Sequence, residues 1–149
     1  MDRISEDGNA DFVLKNGKRV GETLADPKLA SKLAGKRVFL VAATLRPETM
    51  YGQTNCFVGP ELDYAFYAIK NSDEVWVTTE RAGKNMAWQG LFGGEDGEME
   101  CLAVVKGCDL VGLPLKAPLA KFDKVYCLPM ETVLATKVRH IFVFIYLRY

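Results

Sequence analysis

The sequence holds a single histidine, His140, and no excess of charge: 19 lysines and arginines stand against 19 aspartates and glutamates. A balanced chain has no global field to gather nucleic acid or an anionic membrane. Any contact with RNA must then be local, because phosphate neutralisation dominates such affinity. Long apolar runs are also missing. The longest, Ile141 to Leu147, falls far below the roughly 18 residues that a spanning helix needs, so no membrane contact is expected. The start, Met1-Asp2-Arg3-Ile4-Ser5-Glu6-Asp7, lacks the apolar stretch of a secretory signal.

Cysteine is present but uninformative for metals. Cys56, Cys101, Cys108 and Cys127 fall at no zinc-like spacing, and one histidine cannot complete a mixed cysteine/histidine set. No metal is expected. Without a secretion signal, free thiols in a reducing compartment are the default, which places the chain in the cytoplasm. His140 stands apart from any serine or cysteine pattern, so a Ser/His/Asp or Cys/His nucleophile has no support.

What is present is ordinary globular material. Apolar residues make up 49% of the 149 and charged ones 26%, enough for one domain with its own core. Asn16-Gly17 fits a small hairpin, and Asp26-Pro27 starts a short helix through Leu29 and Leu33 that Gly35 stops. Val38 to Ala43 is a near-continuous apolar run, a buried strand. Thr54 to Val58, Tyr64 to Ile69, Glu74 to Thr79, Cys101 to Val105 and Lys124 to Leu128 are strand-like, with Asn71-Ser72-Asp73 as a hairpin turn. Thr79 is placed to cap a helix carrying Glu80 and Lys84 as an i,i+4 pair and ending by Gly90. Met86 and Trp88 fall to its core face. Many short strands and one clear helix predict an α+β domain around a mixed sheet or barrel.

Four collinear stretches say more. Ala42-Ala43-Thr44-Leu45-Arg46-Pro47-Glu48-Thr49-Met50-Tyr51-Gly52-Gln53-Thr54-Asn55 resembles the threonine-rich motif of the editing domain inserted into leucyl-tRNA synthetases, in its eukaryotic cytosolic spelling. Thr79 to Gln89 resembles that domain's helix. Gly107 to Leu119 resembles a loop between its strands, and Tyr126-Cys127-Leu128-Pro129-Met130 the strand and turn leading to its catalytic end. The resemblance divides the chain into a polar lead-in (1–35), an incomplete editing domain (36–137) and an unrelated tail (138–149). It implies the mixed β-sheet or barrel of class I Val/Ile/Leu editing domains.

It also implies a chemistry. Leucine and its near-isosteres differ by a methyl group or its position, which a hydrophobic pocket separates by only about 1–3 kcal/mol. A second site that hydrolyses wrong aminoacyl esters at the 3′ end of tRNA(Leu) supplies the rest. By the resemblance, Thr49 is the steric block against leucine, since a β-branched side chain has a stiff χ1. Thr44 contacts the terminal adenosine or the attacking water, or else bonds its own backbone as a strand-end hydroxyl. Leu45, Tyr126 and Met130 line the pocket. Arg46, Pro47 and Glu48 shape the loop, because proline fixes its own φ and pushes the preceding residue out of the helical region.

The family pattern then calls for a glycine-threonine-glycine run and an acidic segment whose aspartate holds the substrate's ammonium. Here Lys137 is followed by Val138 to Tyr149, without glycine or acid. The stretch is similar to nothing in the family and is what a retained intron or shifted frame would give. No catalytic aspartate is therefore assigned, and the chain alone is expected to be inactive. ATP and magnesium belong to the synthetic half of the whole enzyme, and this fragment needs no cofactor. Its partners are the mischarged tRNA end and the rest of the synthetase. Three alternatives stay open: an isoleucyl- or valyl-type editing domain, a non-catalytic RNA-end-binding or interaction module, and a misread gene. The tail's Ile141 to Ile145 is strongly strand-forming and uncharged, so it either pairs with an open sheet edge or drives aggregation.

Overall fold

A computed structural model describes residues 23, 26–43, 47–95, 97–134 and 142–147; the side chains at 42, 43, 47, 49 and 142–147 lie outside the description. The Asn16-Gly17 hairpin lies outside it as well. Asp26 begins helix α1 (Pro27–Leu33), its carboxylate accepting from the Lys28 amide at 2.8 Å. Gly35 ends it with φ 73°, a left-handed conformation that glycine adopts at little cost. Leu29 and Leu33 are the buried positions, four residues apart on one face.

Eight strands follow: β1 (Arg37–Ala43), β2 (Asn55–Val58), β3 (Asp63–Ala68), β4 (Glu74–Thr78), β5 (Glu100–Lys106), β6 (Pro114–Lys116), β7 (Val125–Pro129) and β8 (Phe142–Leu147). Hydrogen bonding joins them in one mixed sheet, in the order β2-β7-β6-β8-β1-β4-β3-β5. No described pairing joins β2 to β5, so of the two architectures expected the open sheet is realised. The Asn71 turn, at φ 61°, connects β3 to β4 as the sequence predicts. β6 is a finding: its three residues, opening on a proline, carry no strand signature of their own.

The tail does pair, and at an interior position. β8 lies antiparallel to β1, from Val38 opposite Leu147 to Ala43 opposite Phe142, and antiparallel to β6 on its other side. Among the described residues it is the only strand whose pairing joins the β2-β7-β6 half to the β1-β4-β3-β5 half.

The two halves are covered differently. β3 and β4 are buried on both faces: Tyr64, Phe66, Val75 and Val77 enter one core, and Ala65, Tyr67 and Trp76 the other. Helix α2 (Glu80–Trp88) covers the second face with Met86 and Ala87, and Phe92 meets both Tyr67 and Trp76 at 5.5 Å between ring centroids. Gly83 lets the helix approach closely, since a Cβ there would stand 2.7 Å from the Tyr67 ring. In the other half, Cys56, Val58, Leu115, Val125 and Cys127 join the first core only. The opposite face of β2, β7 and β6 presents Asn55, Phe57, Tyr126, Leu128 and Lys116 as half-buried or exposed.

Two local expectations need correcting. Met86 is fully buried, but Trp88 is 68% exposed. The inward stripe of α2 is Ala82, Gly83, Met86 and Ala87, and two residues beyond Met86 is about 200° around the helix. Trp88 instead lies across Gly97, where a Cβ would come within 3.1 Å of the ring. Thr79 does occupy the N-cap position, yet its side chain makes no capping bond. Glu80 and Lys84 form the expected pair at 2.6 Å.

Candidate functional site

The threonine-rich motif begins where the central strand β1 ends and re-enters the sheet at β2. Thr44, Leu45 and Arg46 lie outside the described residues, as do the side chains of Pro47 and Thr49. The backbone from Pro47 to Gly52 winds into a short 3-10 helix, which a proline at its first position favours. In it Glu48 is exposed, Met50 is buried and Tyr51 points largely to solvent. The turn closes with the Gln53 amide donating to the Met50 carbonyl at 3.1 Å.

Strand β2 then pairs in parallel with β7, which sets Asn55 beside Tyr126, Cys56 beside Cys127 and Phe57 beside Leu128. Alternation does the rest. Cys56, Cys127 and Val125 point into the core, while Tyr126 and Leu128 share the open face with Asn55 and Phe57. Tyr126 therefore stands at the end of β2 that the loop enters. Met130 does not. Its amide donates to the Val58 carbonyl at 2.9 Å, at the far end of β2, roughly 13 Å along the strand from Tyr126 at 3.3 Å per residue. Of the residues assigned to one pocket, Tyr126 stands at the end of β2 that the loop enters and Met130 at the other end.

Two buried polar atoms near this region have no partner among the described residues: the Gln53 Oε1 and the Thr79 Oγ1. Gln53 follows directly on the loop's helical turn, its side-chain amide donating to the Asn55 carbonyl at 3.2 Å. Thr79 lies just past β4, whose parallel register with β1 runs to Leu40 opposite Val77. Because β4 runs parallel to β1, Thr79 leaves the sheet at the same end as that loop. An unpaired buried oxygen costs about 1–3 kcal/mol. Neither residue is among the site residues that the sequence suggests, although Gln53 falls within the threonine-rich motif and Thr79 opens the helix stretch.

Burial pushes the Cys56 thiol up to about 11, and burial followed by the neighbouring Cys56 raises Cys127 further. Both are held as neutral thiols, so the pair under the site is packing rather than a nucleophile. A hollow of about 710 Å³ lined by Lys70, Phe92, Glu98 and Met99 lies at the β3–β5 side of the sheet, and no candidate residue lines it. Among the described residues no cluster of metal-binding side chains occurs, and no helix is long and apolar enough to cross a membrane.

Comparison with known proteins gives the family. No family model matches the chain. The putative cytoplasmic leucine–tRNA ligase of Schizosaccharomyces pombe is 49% identical over 122 residues, covering 78% of this chain and 11% of that protein. The cytoplasmic leucine–tRNA ligase of Neurospora crassa is 55% identical over 117 residues, 74% of this chain and 10% of that protein. The chain belongs to the leucyl-tRNA synthetase family. It spans about a tenth of the length of these relatives.

Solved structures locate the part. The leucyl-tRNA synthetase segment GlLeuRS-CP1 superposes with a TM-score of 0.67 at 38% identity, covering 80% of this chain and 46% of that one. The editing domain of the Plasmodium knowlesi cytosolic leucyl-tRNA synthetase gives a TM-score of 0.65 at 24% identity, covering 82% and 49%. The latter likeness is one of fold. This synthetase-family fold is the α+β editing-domain type that the motifs imply, and the relatives named are leucine ligases rather than isoleucyl or valyl ones.

Proposed function

We propose that this chain is a piece of the editing domain of a cytosolic leucyl-tRNA synthetase, the part that hydrolyses tRNA(Leu) charged with a wrong amino acid. The observation that carries the reading is the placement of the threonine-rich loop. It leaves the central strand β1 and returns to β2 beside Tyr126, whose face of β2 and β7 is covered by no helix among the described residues. Its partners in this reading are the 3′ end of a mischarged tRNA(Leu) and the rest of the synthetase. The cytoplasm is its compartment, as the names of its relatives have it.

The chemistry asked of such a site is modest. Water attacks the ester carbonyl, the tetrahedral oxyanion is stabilised by hydrogen-bond donors, and the tRNA 3′-terminal oxygen leaves with a proton. Thr44 would hold the adenosine or the water, and Thr49 would occupy the space that leucine's branch needs, with Leu45 beside them. Arg46, Pro47 and Glu48 would fix the loop's path. No cofactor enters, and ATP and magnesium serve the synthetic half. A carboxylate for the substrate's ammonium is also required, and no acidic residue occurs after Glu131 in this sequence. Charge-assisted contacts are the strong ones in a dry site, so the chain as it stands is expected to deacylate little.

The test grafts a family-like glycine-threonine-glycine and acidic segment after Lys137 and compares Thr49 with Thr49→Ala and Thr49→Phe. Overpacking is worth about 1–3 kcal/mol, or roughly one to two decades in rate. The Ala variant should begin to strip correctly charged leucyl-tRNA while still hydrolysing norvalyl-tRNA, and the Phe variant should lose both activities. If Thr49→Ala spares leucyl-tRNA while norvalyl-tRNA is still cleaved, Thr49 is not the block. If no repaired protein hydrolyses either ester, the non-catalytic RNA-end-binding module is the better reading.

A further inference from the structure

β6 and β7 are antiparallel, with Pro114 opposite Tyr126 and Leu115 opposite Val125. Leu115 and Val125 are buried, so the neighbouring pairs face outward. Carried one step further, the register sets Lys116 across from Lys124, and both are exposed. Like charges directly opposite one another on a sheet destabilise the pair. Several cations elsewhere are matched, Arg37 by Asp73 and Glu74, Lys70 by Glu98, Lys84 by Glu80 and Lys106 by Asp63, but among the described pairings none of these sits directly opposite a like charge on a neighbouring strand. Lys116, Lys121 and Lys124 have no acid partner among the described residues, although Asp123 stands in the same connection.

Apolar groups accompany these lysines. Between them, Leu119 is 62% and Phe122 51% exposed, which is costly for side chains with nothing to cover them. Along β7 the outward residues Lys124 and Tyr126, about 6.6 Å apart, lead from the lysine pair to the end of β2 that the threonine-rich loop enters. Unpaired cations interleaved with aromatic faces are what a single-stranded nucleic acid takes: lysines for the phosphates, rings for the bases.

We infer that the open end of the β6–β7 pair is an RNA contact, in which Lys116 and Lys124, with Lys121 beside them, hold backbone phosphates of an incoming single strand. Phe122 and Tyr126 offer stacking surfaces to its bases. The inference rests on the reading that this face meets the 3′ end of a tRNA, and it adds the track by which that end arrives. A strand bound there relieves the Lys116–Lys124 repulsion.

The experiment is fluorescence anisotropy of the full chain with a short labelled RNA ending in CCA, over a range of salt. Each phosphate held on a single strand contributes about 0.7 to the slope of log affinity against log salt. Lys116→Gln with Lys124→Gln should weaken binding and lower that slope by about 1.4, and the Arg/Arg double variant should restore both. Lys84→Gln, at a lysine already paired with Glu80, should change neither. Absence of binding by the wild-type chain, or an unchanged slope in the Gln double variant, overturns the inference. So does competition by polyglutamate as effective as that by RNA, which would give the face to an acidic protein. The functional reading fails separately. A repaired chain that never hydrolyses esters, while the Gln variant loses RNA, rejects the activity and keeps the track. Hydrolysis with unchanged RNA binding does the reverse.

Discussion

Gly59 and Gly107 meet backbone to backbone: a Cβ built on Gly107 would stand 2.0 Å from the Gly59 carbonyl oxygen and 3.0 Å from the Tyr64 ring. The contact locks two connections together. The Gly107 amide donates to Leu62 at 2.8 Å, the Cys108 amide to Pro60 at 2.9 Å, and the Gly59 amide to the Tyr64 hydroxyl at 3.1 Å. No rotamer can relieve a clash between a Cβ and a carbonyl, so Gly107→Ala must move the chain itself. A loss of about 3 kcal/mol is expected, which lowers Tm by roughly 10 °C in a domain of this size. Gly52→Ala, with nothing within 4 Å of the new Cβ, should stay within about 0.5 kcal/mol of wild type. Thermal melts of the two variants check this, and equal melting temperatures would contradict the close approach.

The four thiols should separate cleanly by burial. Cys101 is exposed and Cys108 half-buried, whereas Cys56 and Cys127 are buried side by side on β2 and β7. The thiolate is the reactive form, and burial holds Cys56 up to about 11 and Cys127 higher still. Iodoacetamide near pH 8 should therefore label Cys101 first, Cys108 more slowly, and Cys56 and Cys127 only after denaturation. Mass spectrometry of the labelled peptides decides it. Early labelling of Cys127 would mean that the β2–β7 half is not packed as described.

The same groups fix the alkaline limit of the fold. Cys56 goes from 9.0 unfolded to about 11 folded, and Tyr67 from 10.0 to about 12, both through burial first. Each is neutral when protonated and harder to ionise in the native state. Its contribution to stability is whole below the unfolded value and is lost as pH rises through the folded one. Stability should be insensitive to these groups below about pH 9 and should fall between pH 9 and 12. Urea melts across that range measure the slope. A flat profile to pH 12 would show both groups to be solvated.

Much of this fold is legible in the sequence because its strands are apolar runs fenced by turn residues. Val38 to Ala43, Tyr64 to Ile69 and Glu74 to Thr79 lie almost on the observed β1, β3 and β4. Helix α2 was marked by Glu80 and Lys84, but its inward stripe of small residues left Trp88 outside. Pro114-Leu115-Lys116 could not be seen, because a three-residue strand owes its shape to its neighbours. The site divides in the same way. Only the resemblance singles out the threonine-rich loop, and its central side chains lie outside the described residues. That Tyr126 stands beside the loop and Met130 about 13 Å away is a matter of register, which no local pattern records. Lys116 and Lys124 are likewise strangers in sequence and neighbours across a hairpin.

The last prediction concerns β8, where periodicity predicts a strand but cannot say which partner it takes. Tyr146 has Phe39 of β1 on one side and Lys116 of β6 on the other, so its amide points at a neighbouring strand whichever way it faces. Proline there removes the donor and fixes φ near −65°, away from the extended range. Tyr146→Pro should therefore detach β8 from both neighbours. β1 and β6 would then carry unpaired backbone groups, and an exposed edge of that kind recruits other chains. The variant should self-associate in size-exclusion chromatography. Backbone amides of Val38 to Val41 that face β8 should exchange hydrogen with solvent much faster than in the wild type, while those of β3, between β4 and β5, should keep their protection. The contrast is what tests the topology. A chain whose last strand hung free would show no change in β1 exchange on Tyr146→Pro, and that result would remove β8 from the sheet and leave the two halves joined only by their loops.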